Sequence, residues 1–226
     1  MTLLLGIDTA TTGCSVALMS GKTCLAENQT RMLRGQSEAL PAMIDTVMKS
    51  ADVSYDQLDG IAVTRGPGAF TGLRVGLAAA RALALSINKP CIGISTFDSL
   101  SAELQQREAI DASTALIVSI ESKRAEIFIG VYGSDGSALR PPSAQRPDEL
   151  EISNEGLSSV IIIGDASEPI ETALAGKIVT RRIKDIEVPD AKIVAILAAD
   201  FLGKPELALP TPFYLRAPDA IKPQSN

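Results

Sequence analysis

The sequence lacks histidine, and this absence removes several classes of catalytic site. None of its 226 residues is His. Ser-His-Asp triads, Cys-His pairs and His-based zinc sites all need an imidazole that exchanges a proton near neutral pH or binds a metal. Acid–base chemistry would therefore fall to Asp, Glu, Lys or Tyr. A Ser-Lys dyad stays open, although no sequence pattern marks one.

Aromatic and cationic residues are also scarce. Trp is absent and aromatic residues make up 4% of the chain, so we expect a core of Ala, Leu, Ile and Val, which suits closely packed helices on a sheet. The chain has 21 Lys and Arg against 27 Asp and Glu, a net charge of -6. Because phosphate contacts need clustered Lys and Arg, we expect any RNA contact to depend mainly on a partner.

Long apolar runs and paired cysteines are missing as well. Residues 1–8 are apolar but lack a basic region, so we expect a buried strand rather than a signal peptide. No apolar run is long enough to span a membrane. Cys14, Cys24 and Cys91 have no metal-type spacing, which predicts reduced thiols in a cytoplasmic protein. A Cys14–Cys24 disulfide across a hairpin is the less favoured alternative.

The hydrophobic pattern predicts two α/β lobes with mixed sheets. We assign residues 1–104 to the first lobe and 105–226 to the second, with return of the tail to the first lobe left open. The segment 133–147 is expected to be a loop or a weak hairpin. Ser37 and Thr96 are the expected helix caps. The predicted strands are 3–8, 14–19, 24–29, 60–64, 91–94, 115–120, 126–132 and 160–163. The predicted helices begin at about 36 or 37 and end at 50, run over 95–106 and 191–202, and extend from the glycine-rich loop 65–72 to about 87.

The first stretch that could bind a ligand follows the first strand. Asp8, Thr9 and Thr11 lie in a turn of small residues between two strands, and such a turn can offer backbone amides to phosphates. Ala10 stands where a phosphate-binding turn usually has Gly, and its Cβ takes up space that a phosphate would need. A simple capped hairpin is therefore the favoured interpretation, with a degenerate phosphate loop as the alternative.

The second stretch is the glycine-rich loop and the helix that follows it. No Gly-Lys-Ser/Thr follows, so this is not a P-loop. Gly72, Gly76 and Ala80 are spaced four apart, which puts small side chains on one helix face. Glycine costs a helix up to about 1 kcal/mol, so the pattern indicates close packing. The packing partner is either the chain's own first helix or another protein; Gly76→Leu would unfold the chain in the first case and break a complex in the second.

The third stretch, residues 120–126, places Lys123 and Arg124 between Glu121 and Glu126 at a strand–strand corner. A solvated β-turn is the simpler interpretation. Contact with an anionic ligand or partner is the alternative.

Together these stretches resemble the TsaB (YeaZ) family. The resemblance is carried in order by Ile-Asp-Thr-Ala-Thr at 7–11, Gly-Pro-Gly-x-Phe-Thr-Gly-x-Arg-x-Gly at 66–76, Ile-Ser-Thr at 94–96 and Tyr-Leu-Arg at 214–216. It implies the two-lobed α/β actin-like ATPase (ASKHA, ribonuclease H-like) fold with mixed sheets.

The resemblance also implies a function without catalysis. Family members support a larger catalytic paralogue, TsaD, which works with the ATPase TsaE to place threonylcarbamoyl on adenosine 37 of tRNAs that decode ANN codons. We therefore expect a TsaD-like partner, a TsaE-like ATPase, a homodimer when the chain is alone, tRNA contact only through the complex, and no membrane. No cofactor is expected, with a nucleotide at the partner interface left open. The implied interface residues are Gln36, Leu40, Met43, Gly72, Arg74, Gly76 and Ala80.

Several positions depart from the related patterns. Thr96 and Leu100 stand where TsaD has two metal-binding histidines, so we expect no metal. Gln36 replaces a His that many relatives carry, and residues 120–124 read Ile-Glu-Ser-Lys-Arg where many relatives read Ile-Asp-Ala-Arg-Arg. The competing functions are a small kinase or phosphatase of the actin-like superfamily and a Ser-Lys peptidase.

Overall fold

The computed structural model describes residues 2–152, 156–204 and 208–216 and contains two five-stranded mixed sheets. The strands are β1 Leu3–Asp8, β2 Gly13–Ser20, β3 Thr23–Arg31, β4 Gly60–Thr64, β5 Cys91–Ile94, β6 Thr114–Ile120, β7 Ile127–Tyr132, β8 Ala138–Gln145, β9 Ser159–Ile163 and β10 Val179–Arg182. The helices are α1 Gln36–Ser50, α2 Phe70–Ser86, α3 Thr96–Arg107, α4 Ser167–Leu174 and α5 Ala191–Ala198.

The first sheet has helices on both faces. Its strand order is β3-β2-β1-β4-β5, with β1 antiparallel to β2 and parallel to β4. Successive side chains of a strand point to opposite faces. Leu5 and Ile7 of β1 accordingly lie in one buried cluster with residues of α1 and α2, whereas Leu4 lies in a second cluster with residues of α5. Burial on both faces explains why β1 reads as a continuous apolar run.

The second sheet repeats this layered arrangement. Its order is β10-β9-β6-β7-β8. Ile170 and Leu174 of α4 pack on one face, and Phe97, Leu100 and Leu104 of α3 pack on the other. Helix α3 thus runs across residue 104, where the sequence analysis divided the lobes, and it packs with the second sheet, while α5 packs on the first. The chain therefore crosses between the lobes more than once.

The mixed two-lobed α/β architecture confirms the predicted fold class. The expected caps are wrong, however. Helix α1 follows Gly35, whose positive φ of 95° suits glycine, and it has no side-chain cap. Ser95 rather than Thr96 caps α3, and its hydroxyl accepts a hydrogen bond from the Phe97 N–H. Strand β8 forms a hairpin with β7 within 133–147, and α4 and β10 were not predicted.

The cysteines are free thiols. Cys14 pairs across β2 and β3 with Thr30, and Cys24 pairs with Met19, so the two thiols do not face each other. The disulfide alternative is therefore wrong. Among the described residues, no helix is long and apolar enough to cross a membrane.

Gly6 allows helix α5 to approach the first sheet closely. A Cβ at Gly6 would lie 2.1 Å from the backbone oxygen of Ala191, the first residue of α5. The Ala191 N–H also donates to the Ser15 hydroxyl at 2.9 Å. The backbone of α5 thus contacts the centre of β1 and β2 directly, which a larger residue at position 6 would prevent.

We predict that Gly6→Ala lowers the free energy of unfolding by about 1–3 kcal/mol, the usual cost of overpacking, because the clash is with backbone. Urea unfolding followed by circular dichroism measures the change. Gly60→Ala in β4 is the matched control, since its Cβ would lie 3.1 Å from a Leu4 methyl and 3.3 Å from the Pro90 backbone oxygen, both much longer than the 2.1 Å at Gly6. Equal losses for the two variants would contradict the role of Gly6.

Candidate functional site

The turn between β1 and β2 holds Asp8 inside the protein. Asp8 is fully buried, and its Oδ1 accepts hydrogen bonds from the Thr64 hydroxyl at 2.6 Å and the Ala10 N–H at 3.0 Å. Burial raises the pKa of Asp8 to about 7, and the nearby Asp190 carboxylate adds to the rise. The other carboxylate oxygen has no hydrogen-bond partner in the described part of the chain. Asp8 is therefore a structural carboxyl group that favours its neutral form more than an exposed Asp does.

The backbone of the same turn binds the start of helix α2. The Ala10 carbonyl accepts a hydrogen bond from the Ala69 N–H at 2.7 Å, and the Thr9 hydroxyl donates to the Gly72 carbonyl at 2.7 Å. A Cβ at Gly68 would lie 2.1 Å from the Ala10 oxygen, and one at Gly72 would lie 2.2 Å from the Thr9 oxygen. The glycines of the second stretch therefore permit backbone-to-backbone contact with the first stretch.

This contact involves part of the predicted partner surface. Five of the predicted residues are buried within the chain. A Cβ at Gly76 would meet the Thr9 hydroxyl at 2.4 Å, so the small-residue face of α2 packs on the β1–β2 turn. Ala80, further along the same helix face, lies in the buried cluster that also holds residues of α1. Leu40, Met43, Gly72, Gly76 and Ala80 are thus buried within this chain, and their contact with a partner stays a prediction.

The other two predicted interface residues lie nearer the surface. Gln36 is half-buried, and its amide donates to the Met32 carbonyl at 3.3 Å. Arg74 is exposed, and its guanidinium carbon lies 3.6 Å from the centre of the Phe70 ring. Their contact with a partner stays a prediction.

A cavity of about 1070 Å³ lies between the lobes. The starts of α1 and α2 line its first-lobe side. The β6–β7 corner and residues 213–216 line the other side. The lining residues are Thr11, Thr12, Val75, Phe128 and the segments 33–37, 67–72, 121–124 and 213–216.

The β6–β7 corner is a hydrogen-bonded turn that also faces this cavity. The Glu121 N–H donates to Asp165 at 2.8 Å, and the Glu121 carboxylate accepts from the Lys123 N–H at 2.6 Å. Burial raises the pKa of Asp165 to about 6. Both interpretations of the third stretch thus stay compatible with the structure: residues 121–124 form a turn, and the turn lines the cavity.

The aromatic residues of this cavity were not predicted from the sequence. Phe70 and Tyr214 have ring centres 5.8 Å apart, and the Arg65 guanidinium lies 5.3 Å from the centre of the Phe213 ring. With Phe128, four of the chain's eight Phe and Tyr residues line one cavity. Their concentration in a chain this poor in aromatics was the available signal, but residues 70, 128 and 213–214 are too far apart in sequence to be grouped without the fold.

The positions compared with a metal site are part of the packed interior. Thr96 and Leu100 are buried, and Leu100 belongs to the cluster between α3 and the second sheet. Within residues 2–152, 156–204 and 208–216, no group of three or more His, Cys, Asp or Glu side chains is arranged to hold a metal ion.

We predict that Gly72→Ala lowers the free energy of unfolding by about 1–3 kcal/mol, because its Cβ would clash with the Thr9 backbone. Gly76→Ala should cost less, since its Cβ would clash with a side-chain hydroxyl rather than with backbone, and alanine favours a helix, although a shift of that hydroxyl strains its bond to the Gly72 carbonyl. Thermal unfolding of both variants measures the difference. A Gly72→Ala chain as stable as the wild type would show that the turn and α2 are not in contact.

The raised pKa of Asp8 predicts a pH dependence. The folded chain keeps this proton to about pH 7, whereas the unfolded chain loses it near its ordinary value of 3.8, so stability falls as pH rises between them. One such proton changes the free energy of unfolding by up to about 1.4 kcal/mol per pH unit. Asp8→Asn keeps an accepting oxygen and should reduce this slope in urea titrations at several pH values. An unchanged slope would contradict the assignment.

Comparison with known proteins identifies the family. The family model described as TsaD: tRNA N6-adenosine threonylcarbamoyltransferase matches residues 30–151. The tRNA threonylcarbamoyladenosine biosynthesis protein TsaB of Escherichia coli is 30% identical over 136 residues, which are 60% of this chain and 57% of that protein. TsaB of Buchnera aphidicola is 25% identical over 210 residues, 91% of this chain and 97% of that protein. The chain thus aligns with just over half of the first relative and nearly all of the second.

Solved structures agree on the fold. YeaZ from Pseudomonas aeruginosa superposes with a TM-score of 0.80 at 22% identity, covering 95% of this chain and 100% of that chain. The Acidaminococcus fermentans (R)-2-hydroxyglutaryl-CoA dehydratase component A gives a TM-score of 0.53 at 10% identity over 90% of this chain and 100% of that chain. These matches confirm the predicted actin-like fold. By its family match and its TsaB relatives, the chain belongs to the TsaD family and, within it, to the TsaB (YeaZ) group.

Proposed function

We propose that the chain is a non-catalytic subunit in the biosynthesis of threonylcarbamoyladenosine at position 37 of ANN-decoding tRNAs. It binds and activates a TsaD-like catalytic paralogue. The observation that carries the proposal is the use of the β1–β2 turn for internal packing. The names of the TsaB relatives supply the pathway.

The turn is a poor phosphate site because its groups already have partners. The Ala10 carbonyl and the Thr9 hydroxyl bind the start of α2. Asp8 is buried against Thr64. A triphosphate and its metal would have to displace α2 and ionise a carboxyl whose burial opposes ionisation. These features argue against the competing kinase or phosphatase, and no specific observation favours a Ser-Lys peptidase.

The outer face of α2 supports a partner surface. Only two of its 17 residues, Arg74 and Arg81, are charged, and its inner face is already buried. A helix that is apolar on all sides is usually buried on all sides. Ala78 and Ala82 are nevertheless exposed, and Leu85 is 83% exposed. The outer face of α2 is therefore rich in exposed apolar side chains, which is typical of a surface that another protein covers.

Helix α1 extends this face. Pro41 and Ala42 are exposed on α1, which packs beside α2. Small side chains let the backbones of partner helices approach closely. A paralogue with an equivalent helix pair fits such a surface, and a second copy of this chain would use it when the paralogue is absent. A TsaE-like ATPase then joins the assembled pair, and the complex as a whole binds tRNA. The partner residues thus belong on the outer sides of the predicted helices, not on the inner sides.

We predict that Ala82→Glu breaks the complex with the TsaD-like protein of the same organism, because it buries an unpaired carboxylate in an apolar interface. Co-purification and light scattering should show at least a tenfold loss of affinity, and tRNA modification by the mixture should fall with it. The variant should unfold at the wild-type temperature, since residue 82 is exposed.

Ala112→Glu is the matched control, because it makes the same exchange at an exposed turn outside both helices. It should leave the complex and the modification rate unchanged. The proposed surface would be refuted if Ala82→Glu kept full affinity, or if both variants lost affinity equally.

A further inference from the structure

Two long helices begin at the cavity between the lobes without side-chain caps. Helix α1 has 15 residues and follows Gly35, and α2 has 17 and follows Ala69; neither preceding residue makes a side-chain capping bond. Segments 35–37 and 69–72 line the same cavity. The first backbone N–H groups of a helix lack intrahelical partners, and the helix dipole favours an anion there. Two helix starts thus favour negative charge in one place; the first turn of α1 already holds Glu38, whereas that of α2 has no acidic residue.

A buried hydroxyl in the same cavity lacks a partner. Thr11 lines the cavity and is only 4% exposed. Its Oγ1 has no hydrogen-bond partner in the described part of the chain. A buried polar group without a partner is unfavourable. Because the Oγ1 atom itself is not accessible, it is an unsatisfied group in the cavity wall rather than a contact already open to a ligand.

The residues that line the cavity carry a net positive charge, whereas the whole chain carries a net negative charge. The charged lining residues are Arg34, Lys123, Arg124, Arg216 and one carboxylate, Glu121. Four cations to one carboxylate contrast with 21 cations to 27 carboxylates in the whole chain. Some of these cations also meet acidic neighbours, as Arg216 does with Glu126 at 3.5 Å. The local excess of positive charge therefore belongs to this cavity rather than to the surface as a whole.

Aromatic rings at the rim indicate what kind of anion fits. Phe70 is 50% exposed and Tyr214 is 41% exposed, although aromatic rings are rare in this chain. Half-exposed rings beside cations are the usual platform for stacking unpaired bases. At about 1070 Å³ the cavity is also at or above the upper end of the roughly 300–1,000 Å³ of small-molecule pockets. An extended ligand with several phosphates and a base fits it better than an enclosed mononucleotide.

We propose that this cavity binds a short segment of single-stranded RNA. Its phosphates lie at the starts of α1 and α2, near Arg34 and Lys123, and one of its bases stacks at Phe70 and Tyr214. The inference rests on the proposed function, in which tRNA is the substrate of the complex, and it adds a direct RNA contact by this chain. A free nucleotide has the same chemistry, so the test must separate the two.

The experiment measures fluorescence anisotropy of a labelled single-stranded RNA of about eight nucleotides with the purified chain at several salt concentrations. The variant is Arg34→Ala/Lys123→Ala. Lys22→Ala/Lys177→Ala, which removes two exposed cations outside the cavity, is the matched control. We expect the cavity variant to bind at least about tenfold more weakly at low salt, and its slope of log affinity against log salt to be shallower by about 1.4, or 0.7 for each lost phosphate contact.

Tyr214→Ala should also weaken binding, and a duplex of the same sequence should bind less well than the single strand. The proposal is overturned if the wild type does not bind at low salt, if the control loses as much affinity as the cavity variant, or if the duplex binds equally well. ATP that binds as tightly as the RNA would instead indicate a nucleotide pocket, and preference for an acidic peptide would indicate a protein ligand.

The two proposals fail separately. The cavity variant should still co-purify with the TsaD-like protein, because Arg34 and Lys123 are not on the outer face of α2. A chain that binds the paralogue but not RNA overturns only the RNA contact. A chain that binds RNA through the cavity but not the paralogue contradicts the proposed function and leaves the RNA contact in place.

Discussion

The contact between the β1–β2 turn and the start of helix α2 determines much of the first lobe. Thr9 and Ala10 use their hydroxyl and carbonyl groups to hold α2, and Gly68 and Gly72 let the two backbones meet. A turn that could have faced phosphates is instead covered by the chain's own helix. The same contact fixes which side of α2 points inward, and it therefore leaves an alanine-rich side exposed.

Because this turn is packed internally, the surfaces open to a ligand or a partner lie elsewhere, on the outer side of α2 and in the cavity between the lobes. Asp8, which would be the acidic group of a phosphate site, is buried and favours its neutral form. The alanine-rich outer face of α2, with Pro41 and Ala42 of α1 beside it, is suited to a protein partner, whereas the cavity between the lobes combines positive charge with exposed rings. These two surfaces share helices α1 and α2, so a partner on the outer face would lie close to a ligand at the helix starts.

The sequence predicted the elements of the fold better than the direction of their side chains. The strands of the first sheet and the long helices follow from hydrophobic periodicity, and the glycine spacing of α2 correctly indicated close packing. The glycine spacing could not predict that Gly76 packs on Thr9, because these two residues are 67 positions apart in sequence and only the fold brings them together. The cavity was missed for the same reason, since Phe70 and Tyr214 are 144 positions apart in the chain. Helix α4 was missed because half of its eight residues are polar and one is a proline, whereas α5, of the same length, is nearly all Ala, Ile, Val and Leu.

The central claim is that the chain is required for threonylcarbamoyl transfer but does not catalyse it. The most direct measurement is transfer to an ANN-decoding tRNA by the chain alone, by the TsaD-like protein alone, and by both with the TsaE-like ATPase and the threonylcarbamoyl donor. The account predicts turnover only when the chain and the TsaD-like protein are both present. Transfer by the chain alone, or an equal rate without it, would contradict the account.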